Sequence, residues 1–255
     1  MILPLASGEF PSLAPSDRSA IWAVTGRLGG KSGGAFSSAN LADHVGDRPQ
    51  DVESNRASLA EIVGLERVNL AIMAPVHGGE VALVRVAGTV DCVDSLMTEE
   101  MGIGLVAMGA DCATVGICGS RENGQQIIAA VHCGWKGLCA DVLGHTVQAL
   151  FDMGARSFQA VLGPAICGIC YQVSQERLEE VRDRCRGDIA NAALSKAGGI
   201  DVRAGLQVQL SDYGISSEVV GGCTAESSRD LFSYRRDGRT GRQGLILALK
   251  ESVNE

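Results

Sequence analysis

Long apolar runs are missing from this chain. No segment reaches the roughly 18 consecutive apolar residues of a membrane span, and the stretches that come nearest, 103–110 and 127–131, are short. Aromatic residues are scarce, 4% of 255, which argues against a surface that stacks successive nucleobases. Only 4 histidines occur, and no two form an HxH pair. A multicopper cluster consumes many imidazoles, so the chain speaks against one; a single copper ion is not excluded. Positive charge is outnumbered, with 22 Lys+Arg against 30 Asp+Glu and a formal net charge of −8. Non-specific binding to a nucleic-acid backbone or a membrane surface is therefore not expected. There is no Asn-x-Ser/Thr acceptor, no GxxxxGK[ST] loop, no repeat and no charge block.

What is present is the composition of a folded domain: 45% hydrophobic and 20% charged residues. A chain of this length buries about 70% of its surface and needs no staples to hold a core. Glycine is abundant, 33 residues against an average near 7%, so tight turns and close backbone approaches are expected. The 9 cysteines are an odd number, and the start, MILPLASGEFPS, lacks the basic stretch of a signal peptide. Together these point to reduced, mostly buried and inert thiols in a cytoplasmic protein. Residues 1–20, rich in Pro and Ser, are expected to be loose. Residues 21–255 read as a single domain.

Spacing predicts a helix over 51–63, with Asp51 as its N-cap and Gly64 as its stop. Strands are predicted at 69–73, 80–86, 103–108, 113–118 and 126–132. A helix near 138–151, a strand at 158–162, a helix from Ser174 to about Cys185, a helix near 201–212 and a strand near 217–220 follow. Consecutive strands mixed with interspersed helices suit an α+β fold with mixed β-sheets flanked by helices.

Three residues stand at or just after strand ends: His77 in APVHGGEV, Cys112 in MGADCATV and His132 in AAVHCGWKG. Two imidazoles and a thiolate are a sensible zinc set, and three protein ligands leave a position open for water or substrate. The same residues allow other readings. Cys112 can be a nucleophile with His132 as its base and Asp111 orienting the ring. A His₂Cys set also holds copper. Two hydrogen-bonded histidines near a buried cysteine would need no chemistry at all. The turn Gly134-Trp135-Lys136-Gly137 leads from a strand into a helix, where backbone N–H groups and Lys136 favour an anion. An ordinary connection with a solvated lysine reads equally well. In FSYRRDGRTGR, residues 232–242, Arg235 and its neighbours have the forked shape that suits phosphate or carboxylate. Gly102-Ile-Gly104 with Ala107 imitates a dinucleotide loop, but it enters a strand instead of leaving one. Cys167-Gly-Ile-Cys170 is a CxxC with a modest claim to a redox role. His145 and His44 read as a helix-flank and a loop residue.

The segments TGRLGGKS, NLADHVGDRP, APVHGGEV, ADCATV, AAVHCGWKGL, LGPAICGICYQV and CTAESSRDLFSYRRDGRTGR occur in this order. Over about residues 20–248 they resemble the YfiH-like family, also called the laccase-domain or polyphenol oxidase family. The resemblance implies an α+β fold shared with a cysteine-hydrolase toxin domain, and a metal site at His77, Cys112 and His132. It implies phosphorolysis of purine nucleosides, including adenosine, inosine, guanosine and methylthioadenosine, together with adenosine deamination; an older assignment is copper-dependent polyphenol oxidation. Zinc is the expected ion and copper the alternative. Purine nucleoside and phosphate are the expected partners. Arg27 and Lys136 are then candidates for holding phosphate, and Asn40, Tyr171 and Arg235 for contacting substrate. Asp111 either orients the site, moves a proton or simply makes a hydrogen bond. The chain departs from the family at Lys136, where Arg is usual, at Thr114 for Pro, at Cys133 for Ala and at Cys167 for Gly. Lysine keeps the charge but loses the guanidinium fork.

Overall fold

Apolar residues fill both faces of the central strands, and they are buried by stacking two sheets between layers of helix. The computed structural model describes residues 1–11 and 18–252. The first part of the chain forms β1 (Pro4–Phe10), β2 (Arg18–Thr25), α1 (Pro49–Ile62), β3 (Leu70–Ala74), β4 (Val81–Leu83), β5 (Gly88–Asp91) and β6 (Ser95–Thr98). Next come β7 (Gly104–Gly109), β8 (Ala113–Ser120), β9 (Gln126–Cys133), α2 (Trp135–Cys139), α3 (Val142–Asp152) and β10 (Ser157–Leu162). The last part carries α4 (Gln175–Arg184), α5 (Gly187–Ala193), α6 (Val202–Asp212), β11 (Ser216–Val219), α7 (Tyr234–Asp237) and β12 (Gln243–Glu251).

One sheet has the order β1-β2-β12-β7-β3-β5 and the other β11-β10-β8-β9-β6-β4. Both are mixed: β3 runs parallel to β5 and β7, β10 parallel to β11, and β8 antiparallel to β9. The expected α+β class with mixed sheets and flanking helices is what forms. Successive side chains on a strand point to opposite faces. On β12, Leu245, Leu247 and Leu249 enter the core between the sheets, while Ile246 and Ala248 pack with Leu59 and Ala60 of α1. On β9, Ile128 and Ala130 face the inter-sheet core, and Ile127, Ala129 and Val131 face the side covered by Leu143 of α3 and Leu206 of α6. Two buried faces explain why these strands read as unbroken apolar runs. No helix among the described residues is long and apolar enough to cross a membrane.

Several expectations change. Pro4–Phe10 are a strand paired antiparallel with β2, so the segment expected to be loose is built into a sheet there; residues 12–17 lie outside the described residues. Helix α1 begins at Pro49 after an Arg48 N-cap, because proline's fixed φ suits the first helical position; Asp51 sits in the first turn. The helix expected near 138–151 is two helices. Asp141, left-handed at φ 55°, breaks it and caps α3 by accepting from the Gly144 N–H. Ser174 caps α4 as expected, accepting from Arg177 N–H. Cys139, at the end of α2, and Cys185, at the end of α4, are joined in a disulfide, which corrects the expectation of reduced thiols at these two.

Gly116 of β8 is required by the stacking itself. A Cβ there would lie 2.9 Å from Val161 Cγ1 and 3.1 Å from both Leu247 methyls. Gly116→Ala therefore overpacks the inter-sheet core, and urea unfolding is expected to show a loss of about 1–3 kcal/mol. An unchanged midpoint would mean that the sheets separate without cost.

Candidate functional site

The site forms where the two sheets exchange chain. The turn after β3 carries His77, the connection from β7 of one sheet to β8 of the other carries Asp111 and Cys112, and His132 stands at the end of β9. His77 and Asp111 are left-handed at φ 59° and 103°, a conformation that costs non-glycine residues about 1–3 kcal/mol and clusters at functional sites. A buried carboxylate holds the His77 turn. Asp94 accepts from the backbone N–H of Val76 at 3.2 Å, His77 at 3.0 Å and Gly78 at 2.7 Å. Its Oδ1 also lies 2.9 Å from Nδ1 of His132. With Nδ1–H donating to Asp94, Nε2 of His132 is the nitrogen that would offer its lone pair to a metal once its proton is lost, the arrangement found behind metal-bound histidines.

The three side chains converge. Cys112 Sγ is 4.0 Å from His77 Nδ1, the imidazoles meet edge to face at 4.9 Å, and one donor atom from each residue lies within 4.8 Å of the others. Gly134 makes room for them: a Cβ on it would stand 2.9 Å from His77 Nδ1 and 3.1 Å from Cys112 Sγ. Burial alone would raise the Cys112 thiol, but the neighbouring His132 and His77 outweigh it and bring the pKa down from 9.0 to about 6. Burial likewise opposes charge on His132, but the Cys112 thiolate and Asp94 bring it up to about 9. Asp94 is held below the usual carboxylate range: desolvation works against it, and the hydrogen bonds from His132 and the His77 turn prevail. Without metal, Cys112 and His132 thus form a thiolate–imidazolium pair.

His77 and Cys112 open into a cavity of about 640 Å³. Trp135, Tyr171 and Tyr234 supply aromatic walls, and Lys136, Arg177 and Arg235 supply positive charge. The Arg177 guanidinium lies 4.1 Å over the Trp135 ring and that of Arg235 lies 5.4 Å from the Tyr171 ring centre. Tyr171 and Arg235, expected at the substrate, are both on this wall, and Arg235 donates to the Gln172 carbonyl. Lys136 is there and exposed, but α2 has only five residues, so the helix dipole expected behind it is short. Asp111 lines the cavity with its carboxylate already engaged. It accepts from Thr224 Oγ1 at 2.6 Å, Ser233 Oγ at 2.7 Å and Arg235 N–H at 2.6 Å. That favours a positioning part over proton transfer.

Arg27 and Asn40 do not line this cavity. Arg27 donates to the carbonyls of Ser37 at 2.9 Å and Ser228 at 3.0 Å, and its guanidinium lies 4.8 Å from the Phe232 ring centre. Asn40 is fully buried, donates to Ala42 O and Asp47 Oδ2, and accepts from Ala42 and Arg242 N–H. Both tie loops together, Arg27 through backbone carbonyls and Asn40 through backbone groups and the Asp47 carboxylate. Sequence reasoning missed Asp94, Trp135, Arg177 and Tyr234. Trp135 carried a signal, as the aromatic residue inside the Gly134–Gly137 turn; nothing in VDCVDS marked Asp94. His145 holds Gly79 O at 2.9 Å and His44 stands beside Asp43, so neither joins the donor set.

The family model described as multi-copper polyphenol oxidoreductase laccase matches residues 21–250. A protein named purine nucleoside phosphorylase from Corynebacterium glutamicum is 36% identical over 249 residues, covering 94% of this chain and 99% of the relative. One of the same name from Mycobacterium tuberculosis is 38% identical over 224 residues, covering 86% and 88%. The crystal structure of YlmD from Geobacillus stearothermophilus superimposes with a TM-score of 0.81 at 26% identity, covering 94% and 100% of the two chains.

The thiolate–imidazolium pair makes a prediction for metal-free protein. Alkylation of Cys112 by iodoacetamide, followed by peptide mass spectrometry, should keep its thiolate rate down to about pH 6. Below that the thiol is protonated and the rate falls. Asp94→Asn removes the charge that supports the imidazolium, so the midpoint should move up toward 9.0. It should also weaken metal binding about 10–100-fold. A wild-type midpoint already near 9.0 would refute the pair.

Proposed function

We propose that this chain, which belongs to the polyphenol oxidoreductase laccase (YfiH-like) family, cleaves purine nucleosides with phosphate, using a zinc ion held by His77, Cys112 and His132. The observation that carries this reading is that one metal-capable donor set opens into one cavity with aromatic and cationic walls. The donor set fits the ion: a thiolate and two imidazoles suit zinc, three protein donors leave a position open, and Asp94 orients His132. When bound, zinc supplies a Lewis acid that polarises oxygen and acidifies water.

The remaining work falls to the chain's own side chains. Trp135, Tyr171 and Tyr234 offer ring faces to a purine, a contact worth ~1–3 kcal/mol per stacked base. Lys136, Arg177 and Arg235 gather positive charge in a protein of net charge −8 and hold phosphate beside the ribose. Phosphate oxygen then bonds to the anomeric carbon as the bond to the purine nitrogen breaks. Arg177 is partly neutralised by Glu180 at 3.1 Å, whereas Lys136 has no carboxylate partner among the described residues, which makes it the freer cation. Asp111 holds the backbone of Arg235 in place. The curated relatives' name supports purine nucleosides as the substrate class. Adenosine deamination, in which water oxygen replaces the purine amino group and ammonia leaves, is the finer reading for the same cavity.

One observation favours a second class. Cys112, His132 and Asp94 stand in the order nucleophile, base and orienting carboxylate, the logic of a cysteine hydrolase. Chelation separates the two.

The test pairs zinc and copper analysis with adenosine turnover, with and without phosphate. Zinc-bearing protein that releases adenine and ribose 1-phosphate only with phosphate bears the reading out. Inosine and ammonia formed without phosphate identify deamination. Copper with oxygen uptake and no nucleoside turnover replaces it with phenol oxidation, and activity that survives chelation but not Cys112 alkylation replaces it with hydrolysis. Lys136→Ala should raise the KM for phosphate about tenfold, the loss of about 1.4 kcal/mol expected for one charge-assisted contact, with little change for nucleoside.

A further inference from the structure

A second group of donors lies outside the cavity lining. Cys167 and Cys170 stand in the turn after β10, and Cys223 and Glu226 follow β11. Their three sulfurs and a Glu226 carboxylate oxygen all lie within 4.8 Å of one another. We propose that Cys167, Cys170, Cys223 and Glu226 form a second metal site, separate from the His77 group, that takes a thiophilic divalent cation, zinc.

The donor chemistry and spacing agree with this. A CxxC turn that supplies two sulfurs, joined by a third from a distant segment, is the pattern of structural zinc sites. Zinc–sulfur bonds of about 2.3 Å put tetrahedral donors roughly 3.8 Å apart, so the cluster needs only a small contraction around an ion. Four convergent protein donors close the site, which makes it structural and not catalytic. The backbone already gathers the sulfurs. The N–H groups of Cys170 and Tyr171 return to Cys167 O at 3.1 and 2.9 Å, closing the turn. The Cys167 N–H donates to Cys223 Sγ at 3.4 Å, and Cys170 Sγ stands 3.7 Å from Glu226 Oε1. A disulfide would use two of the sulfurs and leave the third and the carboxylate idle. The three remain free thiols side by side, in the same molecule in which Cys139 and Cys185 are joined.

The cation would clamp two cavity walls from behind. The segment of Cys167 and Cys170 also carries Ile166 and Tyr171 into the cavity. Cys223 precedes Thr224, whose N–H donates to Ala165 O at 3.2 Å and whose hydroxyl donates to Asp111. Soaking up the charge of crowded thiolates, the ion would fix Tyr171 and Asp111 relative to each other. The proposal stands independently of the nucleoside reading.

The test is metal content of the full chain after the first donor set is disabled. Purified Cys112→Ala is expected to keep about one zinc per chain. Adding Cys167→Ser and Cys170→Ser should remove it, with circular dichroism confirming the fold. Cobalt(II) in Cys112→Ala should give an intense near-ultraviolet thiolate charge-transfer band, reduced by about one third in Cys112→Ala with Cys223→Ser as one of three thiolates is lost. Where the serine variants fail to fold, the band of Cys112→Ala alone decides. Folded Cys112→Ala with neither zinc nor a cobalt–thiolate band overturns the proposal. So does thiol mapping that finds Cys167 disulfide-bonded to Cys170 or Cys223 in protein purified under reducing, zinc-replete conditions.

Discussion

The cavity depends on one buried carboxylate. Asp94 takes hydrogen bonds from three consecutive N–H groups of the His77 turn and faces Nδ1 of His132. The turn crosses from β3 of one sheet to β4 of the other, Asp94 stands just before β6 of that second sheet and His132 lies in its β9; Asp94 O also accepts from His132 N–H at 2.8 Å. A fully desolvated carboxylate without partners costs several kcal/mol. Here its lone pairs are met by donors, so the same charge that would be a liability becomes the clasp that fixes the crossover turn between the two sheets against His132. It also holds His77 in a left-handed conformation that is uncommon for any residue but glycine.

From that clasp the chemistry of the pocket follows. With Asp94 holding Nδ1 of His132, the second nitrogen faces Cys112, and the charged ring draws the thiol down to about 6. A low-pKa thiol is a good donor near neutral pH, because a metal ion needs its ligands deprotonated, and the proton that His132 holds beside the thiolate must leave when an ion takes its place. The glycine at 134 is part of the same geometry, since any side chain there would occupy the space between His77 and Cys112. The helix that begins at Trp135 then brings Trp135 and Lys136 to the cavity edge, and Arg177 of α4 lies over the Trp135 ring.

What could be read from residues alone was what local chemistry encodes. The strands that lead to Cys112 and His132 were legible because apolar, β-branched runs stop at polar turns, and α4 was legible from Ser174. The break at Asp141 was not, because the residues on either side of it keep helical spacing and only the left-handed backbone reveals it. Strands β1, β2 and β12 carried no clear alternation: β12 is buried on both faces, and β1 is an edge strand with most side chains exposed. Asp94 could not be found, since its role arises from three backbone donors brought to it by the turn of another sheet. Arg27 and Asn40 lie away from the cavity lining for the converse reason. A motif shows which residues stand together, but the loop carbonyls and amides and the Asp47 carboxylate that engage their polar atoms are brought near only by the fold.

The family's descriptive name and the donor count of this chain point in different directions, and the donor count is the more physical guide. Several copper ions need several sets of imidazoles. Of the 4 histidines, His145 is bound to Gly79 O and His44 sits beside Asp43. Two remain for metal, and both belong to one group with a single cysteine. That group could hold one ion, with an open position facing rings and cations. The thiol-rich cluster behind Tyr171 contains no imidazole. Its sulfur donors favour a closed, structural ion, so an ion bound there would add rigidity to the wall and no second redox centre to the cavity.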